Sequence, residues 1–221
     1  MGDVVPFGDA AVLVTIADEA TEASAARAQA VARRIRAATA DRHGWGAAVP
    51  AATTVLVHVD PSGPGVPEAL RLVEDVAAGV EVDDDRWTED SPLVEIRVRY
   101  GGEDGPDLDA VAAAAGLAPA AVIDLHAGAE YRALFLGFAP GFAYLGPVPP
   151  RLVLPRRASP RVRVPAGSVA IAGPHTAIYP IDSPGGWHLL GRTSAVLWDA
   201  RREPPAFLEP GSRVRFVPEP A

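Results

Sequence analysis

The chain has 221 residues, 48% of them hydrophobic, with 28 acidic and 20 basic side chains and a net charge of -8. That length holds one large domain or two small ones, and the apolar content supplies a core. The acidic balance argues against general nucleic-acid binding, and the lack of cysteine excludes disulfides, thiolate metal sites and cysteine nucleophiles.

The first residues, MGDVVPFGDA, show neither a basic n-region nor an apolar h-region. No secretory leader is expected there, and no run of about 18 apolar residues marks a membrane span. A cytoplasmic location is the expectation. Ala11–Ile16 alternates as a strand, with Val12, Val14 and Ile16 on one side. Thr21–Thr39 has helical spacing, with Ala28, Val31, Ala32 and Ile35 as its apolar stripe. Thr53–Val59 is a second strand, and Pro67–Ala78 a second helix ended by Gly79. This alternation predicts a small ferredoxin-like α/β domain over residues 1–88.

The acidic stretch Glu81–Pro92 has no core periodicity and is expected to be an exposed connection. Leu93–Tyr100 is a strand that either closes the first sheet or opens a second domain over residues 93–221. Asp107 is placed to cap a helix running to Ala115, and a short helix follows, ending near His126. From Tyr131 the pattern changes to short segments cut by proline and glycine: YRALFLGF, RLVLP, RVRVP, GSVAIAG, TAIYP, WHLLGRT, AVLWD and SRVRFVP. Their spacing predicts an all-β barrel or sandwich, and the whole chain an α+β protein.

Three stretches carry candidate chemistry. GFAPGFAYLG holds Phe138, Pro140, Phe142 and Tyr144 among its glycines. It forms either core packing around a bend or one wall of a ligand cleft. Residues 131–181 contain six arginines and no carboxylate. Arg156, Arg157 and Arg161 can either bind an anion or pair with acids elsewhere in the fold. The third stretch supplies His175, Tyr179, Trp187, His188 and Arg192, with Gly185 and Gly186 amides able to form an anion nest. His126 closes a helix, where the dipole favours its protonated form. The five histidines have no metal-ligand spacing, so no metal is expected. Neither a GxxxxGK[ST] loop nor any lysine is present to bind nucleotide phosphates.

GEDGPDL, HAGAEYRALFLGFAPGFAYLG, LPRRASPRVRVPAGSVAIAG, TAIYPIDSPGGWHLLGRT and PGSRVRFVP together resemble the family of allophanate hydrolase subunit 1 and the B subunit of 5-oxoprolinase. That family includes a histidine-kinase inhibitor and is related to one half of the urea carboxylase carboxyltransferase domain. The resemblance implies a cyclophilin-like β-barrel after the N-terminal domain. It implies ATP-dependent opening of 5-oxo-L-proline to L-glutamate, with the C and A subunits of 5-oxoprolinase as partners and a small anionic amide as substrate. ATP would be used by the complex. Motif matching implies a site drawn from Phe138, Pro140, Phe142, Tyr144, Arg156, Arg157, Arg161, Ser168, Tyr179, Gly185, Gly186, Trp187 and Arg192. Arg157, Arg161, His175 and His188 are the expected catalytic groups, with His126 in support. His175 departs from the pattern, which has glutamine there. The alternatives are a non-catalytic kinase inhibitor and a carboxyltransferase half acting on urea or a related amide.

Overall fold

The computed structural model describes residues 2–82 and 87–219. They form two compact units, divided after Thr88. Part of the expected acidic connection, residues 83–86, lies outside the described residues.

The N-terminal unit runs β1 (Val4–Pro6), β2 (Ala11–Thr15), α1 (Glu22–Thr39), β3 (Trp45–Pro50), β4 (Thr54–Val59) and α2 (Gly65–Ala77). Its strands form one antiparallel sheet in the order β1-β2-β4-β3. Alternation buries Val12 and Val14 of β2 and Val55, Val57 and Val59 of β4. These residues share one core with Ala28, Val31, Ala32 and Ile35 of α1. A reciprocal cap starts α1: the Ser24 amide donates to Thr21 Oγ1 at 3.0 Å and the Thr21 amide to Ser24 Oγ at 2.8 Å. Two strands carry no sequence signal. β1 has only three residues, and β3 exposes Gly46 and Ala47 without apolar alternation.

β5 (Leu93–Tyr100) belongs to the second unit. It is followed by α3 (Leu108–Ala115), α4 (Pro119–Gly128), β6 (Glu130–Leu136) and β7 (Ala143–Gly146). Then come β8 (Arg161–Val164), β9 (Ser168–Ala172), β10 (His175–Ile178), β11 (Ser183–Gly185), β12 (His188–Arg192) and β13 (Arg213–Pro218). Seven strands close a barrel in the order β10-β7-β6-β13-β5-β12-β9, while β8 and β11 pair as a separate two-stranded ribbon. β5 and β13 run parallel, with Ile96 opposite Phe216. AVLWD is not a strand; Trp198 makes a single bridge to Ala206. RLVLP instead gives a 3-10 turn at Pro150–Leu152 and one bridge from Leu154 to Gly173. Prolines at both ends of that segment cannot donate to a ladder.

β9 is buried along its whole length. Val169 and Ile171 face the main barrel core. Ala170 and Ala172, with Ala177 of β10, instead join Val164 of the ribbon and Phe142, Tyr179 and Trp187 in a second apolar cluster. Small side chains on the outer face of the barrel wall thus leave room for large rings beneath the ribbon.

Candidate functional site

The second cluster does not fill its space. A cavity of about 70 Å³ opens among Phe138, Phe142, Tyr144, Tyr179 and Trp187, with Arg156, Pro184, Gly185 and Gly186 completing its wall. Phe142 is the hub. Its ring meets Phe138 at 5.1 Å, Tyr144 at 5.0 Å, Tyr179 at 5.5 Å and Trp187 at 5.7 Å, all edge to face. Phe138 stands at the mouth, 61% exposed, with a backbone φ of +68° that bulky residues seldom adopt. Gly185 is required by contact: a Cβ there would fall 2.3 Å from the Tyr179 hydroxyl. Burial pushes the Tyr179 phenol upward, against the Trp187 amide and the nearby Arg156 charge, so the hydroxyl stays protonated at neutral pH.

The arginines separate into different roles. Arg156 lines the cavity, and its guanidinium has no partner among the described residues. Arg157 Nη1 and Arg161 Nη2 both donate to Asp107 Oδ1 at 2.7 Å, and the Leu189 amide donates to Asp107 Oδ2 at 2.7 Å. Asp107 is 3% exposed. Burial raises its pKa, but the Arg161 hydrogen bond, the Leu189 amide and both guanidinium charges outweigh that and hold it below the usual carboxylate range. Asp107 therefore makes no side-chain helix cap, because its carboxylate is already committed. Gly105 lets this turn press against β12, where a Cβ would lie 2.0 Å from the Leu190 carbonyl oxygen. The Arg157 amide also donates to the Gly186 carbonyl at 2.8 Å. Asp107 and Arg157 thus hold the Arg156 segment against the glycine turn. Sequence reasoning misses Asp107 as a site residue, although it lies within the GEDGPDL motif.

The other expected site residues lie apart from this cavity. His126 is fully buried in the barrel, stacked on Phe216 at 4.7 Å. Thr176 Oγ1 donates to the Ala170 carbonyl, so it accepts from His126 Nε2, and Tyr100 then donates to His126 Nδ1. Burial pushes the imidazole pKa down to about 3. The charged form favoured by the helix-end argument is overturned by this desolvation. His175 sits behind Tyr144, their rings 5.9 Å apart, with its pKa lowered by burial. His188 Nε2 donates to the Pro155 carbonyl at 2.9 Å. Ser168 is buried within β9, Pro140 is exposed, and Arg192 lines a different cavity. Among the described residues no His, Asp and Glu cluster could hold a metal ion.

Residues 3–208 match the family described as carboxyltransferase domain, subdomain C and D. The chain belongs to this family. It is 39% identical to the 5-oxoprolinase B subunit of Bacillus subtilis (strain 168), over 96% of this chain and 90% of that protein. It is 52% identical to the 5-oxoprolinase B subunit of Escherichia coli O157:H7 over 61% of this chain, and the match spans 65% of that relative. The solved structure of TTHA0988 is 40% identical with a TM-score of 0.79, covering 96% of this chain and 40% of that longer one. The relatives it resembles are thus named as subunits of an enzyme. Among the described residues no single helix is long and apolar enough to cross a membrane.

Proposed function

We propose that this chain is the B subunit of an ATP-dependent 5-oxoprolinase, which acts in the cytoplasm together with the enzyme's A and C subunits. In this proposal the N-terminal unit is ferredoxin-like, with β1 supplying the outer strand beside β2, and the barrel is cyclophilin-like. The observation that carries the function is one unpartnered guanidinium, Arg156, in a cavity otherwise walled by aromatic rings and glycine backbone. The lactam ring is flat and small, its carboxylate is anionic, and its amide oxygen gains charge when attacked. Tyr144, Tyr179 and Trp187 flank the ring, and Arg156 meets the anionic oxygen. Phe138 covers the mouth and limits entry of water.

A cavity of about 70 Å³ falls well below the roughly 300–1,000 Å³ common for complete ligand sites. A partner subunit therefore completes the site in this proposal. With no lysine and no phosphate loop in this chain, the ATP phosphates are assigned to another subunit. ATP hydrolysis supplies the driving force for opening a resonance-stabilised amide. Arg157 and Arg161 position Arg156 through Asp107, and His175 and His188 support the walls.

Co-expression with the A and C subunits, followed by an assay of ATP-dependent glutamate formation from 5-oxoproline, tests this. Arg156→Ala in the assembled complex should lower kcat/KM by about 10- to 100-fold, the loss of one charge-assisted contact. Full activity in that variant would remove the assignment. Recovery of a histidine kinase in place of the A and C subunits would move the chain to the inhibitor reading.

A further inference from the structure

A second cavity, about 400 Å³, lies where β12 ends, and the proposed reaction makes no use of it. Arg192 lines it. Its Nε donates to the Ala166 carbonyl at 3.0 Å, which fixes the guanidinium plane. The two terminal amino groups of Arg192 have no partner among the described residues. Arg99 lines the same space from β5, braced through Nε by Asp104 at 2.9 Å and through Nη1 by Glu219 at 3.6 Å. That leaves its second terminal amino group to donate. Ser194 adds an exposed hydroxyl, and Trp198 and Val196 add apolar surface that is 41% and 62% exposed.

The charge balance selects among anions. Arg192 lies in the field of Asp182, whose carboxylate already accepts from Arg163 and the Ala166 amide. Asp104, Asp182 and Glu219 match Arg99, Arg163 and Arg192 in number, and Asp199 pairs with Arg201. Arg202, bonded to the carbonyl of the lining residue Val196, leaves one positive charge in excess, which suits a singly charged anion better than a doubly charged one. A singly charged carboxylate fits the paired terminal amino groups of Arg192, and an attached flat apolar body fits over Trp198. We propose that this cavity is a second binding site, specific for small planar monocarboxylates and separate from the Arg156 cavity. Gly141 packs against its wall so closely that a Cβ would sit 2.7 Å from the Leu197 carbonyl oxygen. The wall that carries Leu197 and Trp198 therefore abuts the turn that carries Phe138 and Phe142.

Benzoate is a suitable probe, with benzyl alcohol as its neutral counterpart and, in a buffer alkaline enough that the dianion predominates, inorganic phosphate as the doubly charged anion. The readout is the Trp198 contribution to fluorescence, taken as the difference between the full chain and Trp198→Phe. Benzoate should give a saturable change in the low-millimolar range, while benzyl alcohol and phosphate give none. Arg192→Gln should weaken benzoate at least tenfold, and Arg156→Ala should leave it unchanged. Because Arg156 carries the proposed reaction, that last variant separates failure of this site from failure of the enzyme reading. If Arg192→Gln does not fold, Ser194→Phe blocks the cavity from an exposed position and should abolish the signal. A non-saturating response, equal binding of benzyl alcohol, or benzoate affinity indifferent to these substitutions overturns the proposal.

Discussion

Two buried polar hubs hold the barrel unit together, and they do so by opposite means. His126 sits inside the main core, neutral, with Tyr100 and Thr176 filling both ring nitrogens. Asp107 sits beside the candidate cavity, ionised, with two guanidiniums and an amide on its two oxygens. Desolvation decides the first, because no charge lies close enough to offset it. Compensation decides the second, because the Arg161 hydrogen bond, the Leu189 amide and the two guanidinium charges together outweigh the penalty of burial. A neutral hub locks a fold and has nothing left to offer. The charged hub aligns a segment whose next residue, Arg156, remains available.

The sharpest way to break this contrast is to remove the anion. Asp107→Ala leaves Arg157 and Arg161 partly buried and facing each other. A loss of about 3–5 kcal/mol in urea unfolding is expected. A loss below about 1 kcal/mol would mean that the two guanidiniums find solvent without it. The neutral hub is broken by pH instead. In the folded chain His126 binds a proton only near pH 3, against an ordinary value of 6.5. Between those values the unfolded chain holds more protons, so stability falls as pH drops, on the order of 1.4 kcal/mol per unit. Nitrogen NMR should show the Nε2–H tautomer unchanged down to about pH 5. Asp107 contributes in a lower window, its stabilisation being lost only as pH falls below the ordinary aspartate value of 3.8.

Much of the fold was legible where periodicity was strong. β2, α1, β4 and β5 announce themselves because one face of each is apolar at the right repeat. The ribbon was half legible: RVRV alternates, but its partner β11 is Ser-Pro-Gly, which has no strand character. The aromatic turn was legible as a cleft wall or a core, and it is both, since Phe142 is buried while Phe138 is exposed. The division of labour among the arginines was not legible. Alternation tells which side chains share a face, but the carboxylate that claims Arg157 and Arg161 lies 50 and 54 residues upstream. A charge window free of acids does not reveal an acid folded in from outside it.

Smaller perturbations sharpen the comparison on the charged side. Gly185→Ala drives a methyl group onto the Tyr179 hydroxyl, 2.3 Å away. Relief requires Tyr179 or the ribbon to shift, at a cost of about 1–3 kcal/mol. The proposed activity should fall more than stability does, because the displaced ring is a cavity wall. Wild-type turnover with wild-type stability would show that the ribbon yields freely.

Arg156→Ala should have the smallest effect on the fold. The side chain is exposed and has no partner among the described residues, so its removal should change unfolding free energy by no more than about 0.5 kcal/mol. Its charge nevertheless reaches both cavity phenols, lowering the pKa of Tyr144 and Tyr179 against the upward pressure of burial. Removing it should therefore raise both phenol pKa values further while leaving His126 untouched. Ultraviolet titration of tyrosinate, compared between the two proteins, reads that change without requiring any other protein. An unchanged titration would place the guanidinium outside the cavity in solution, and the anion-binding role would go with it.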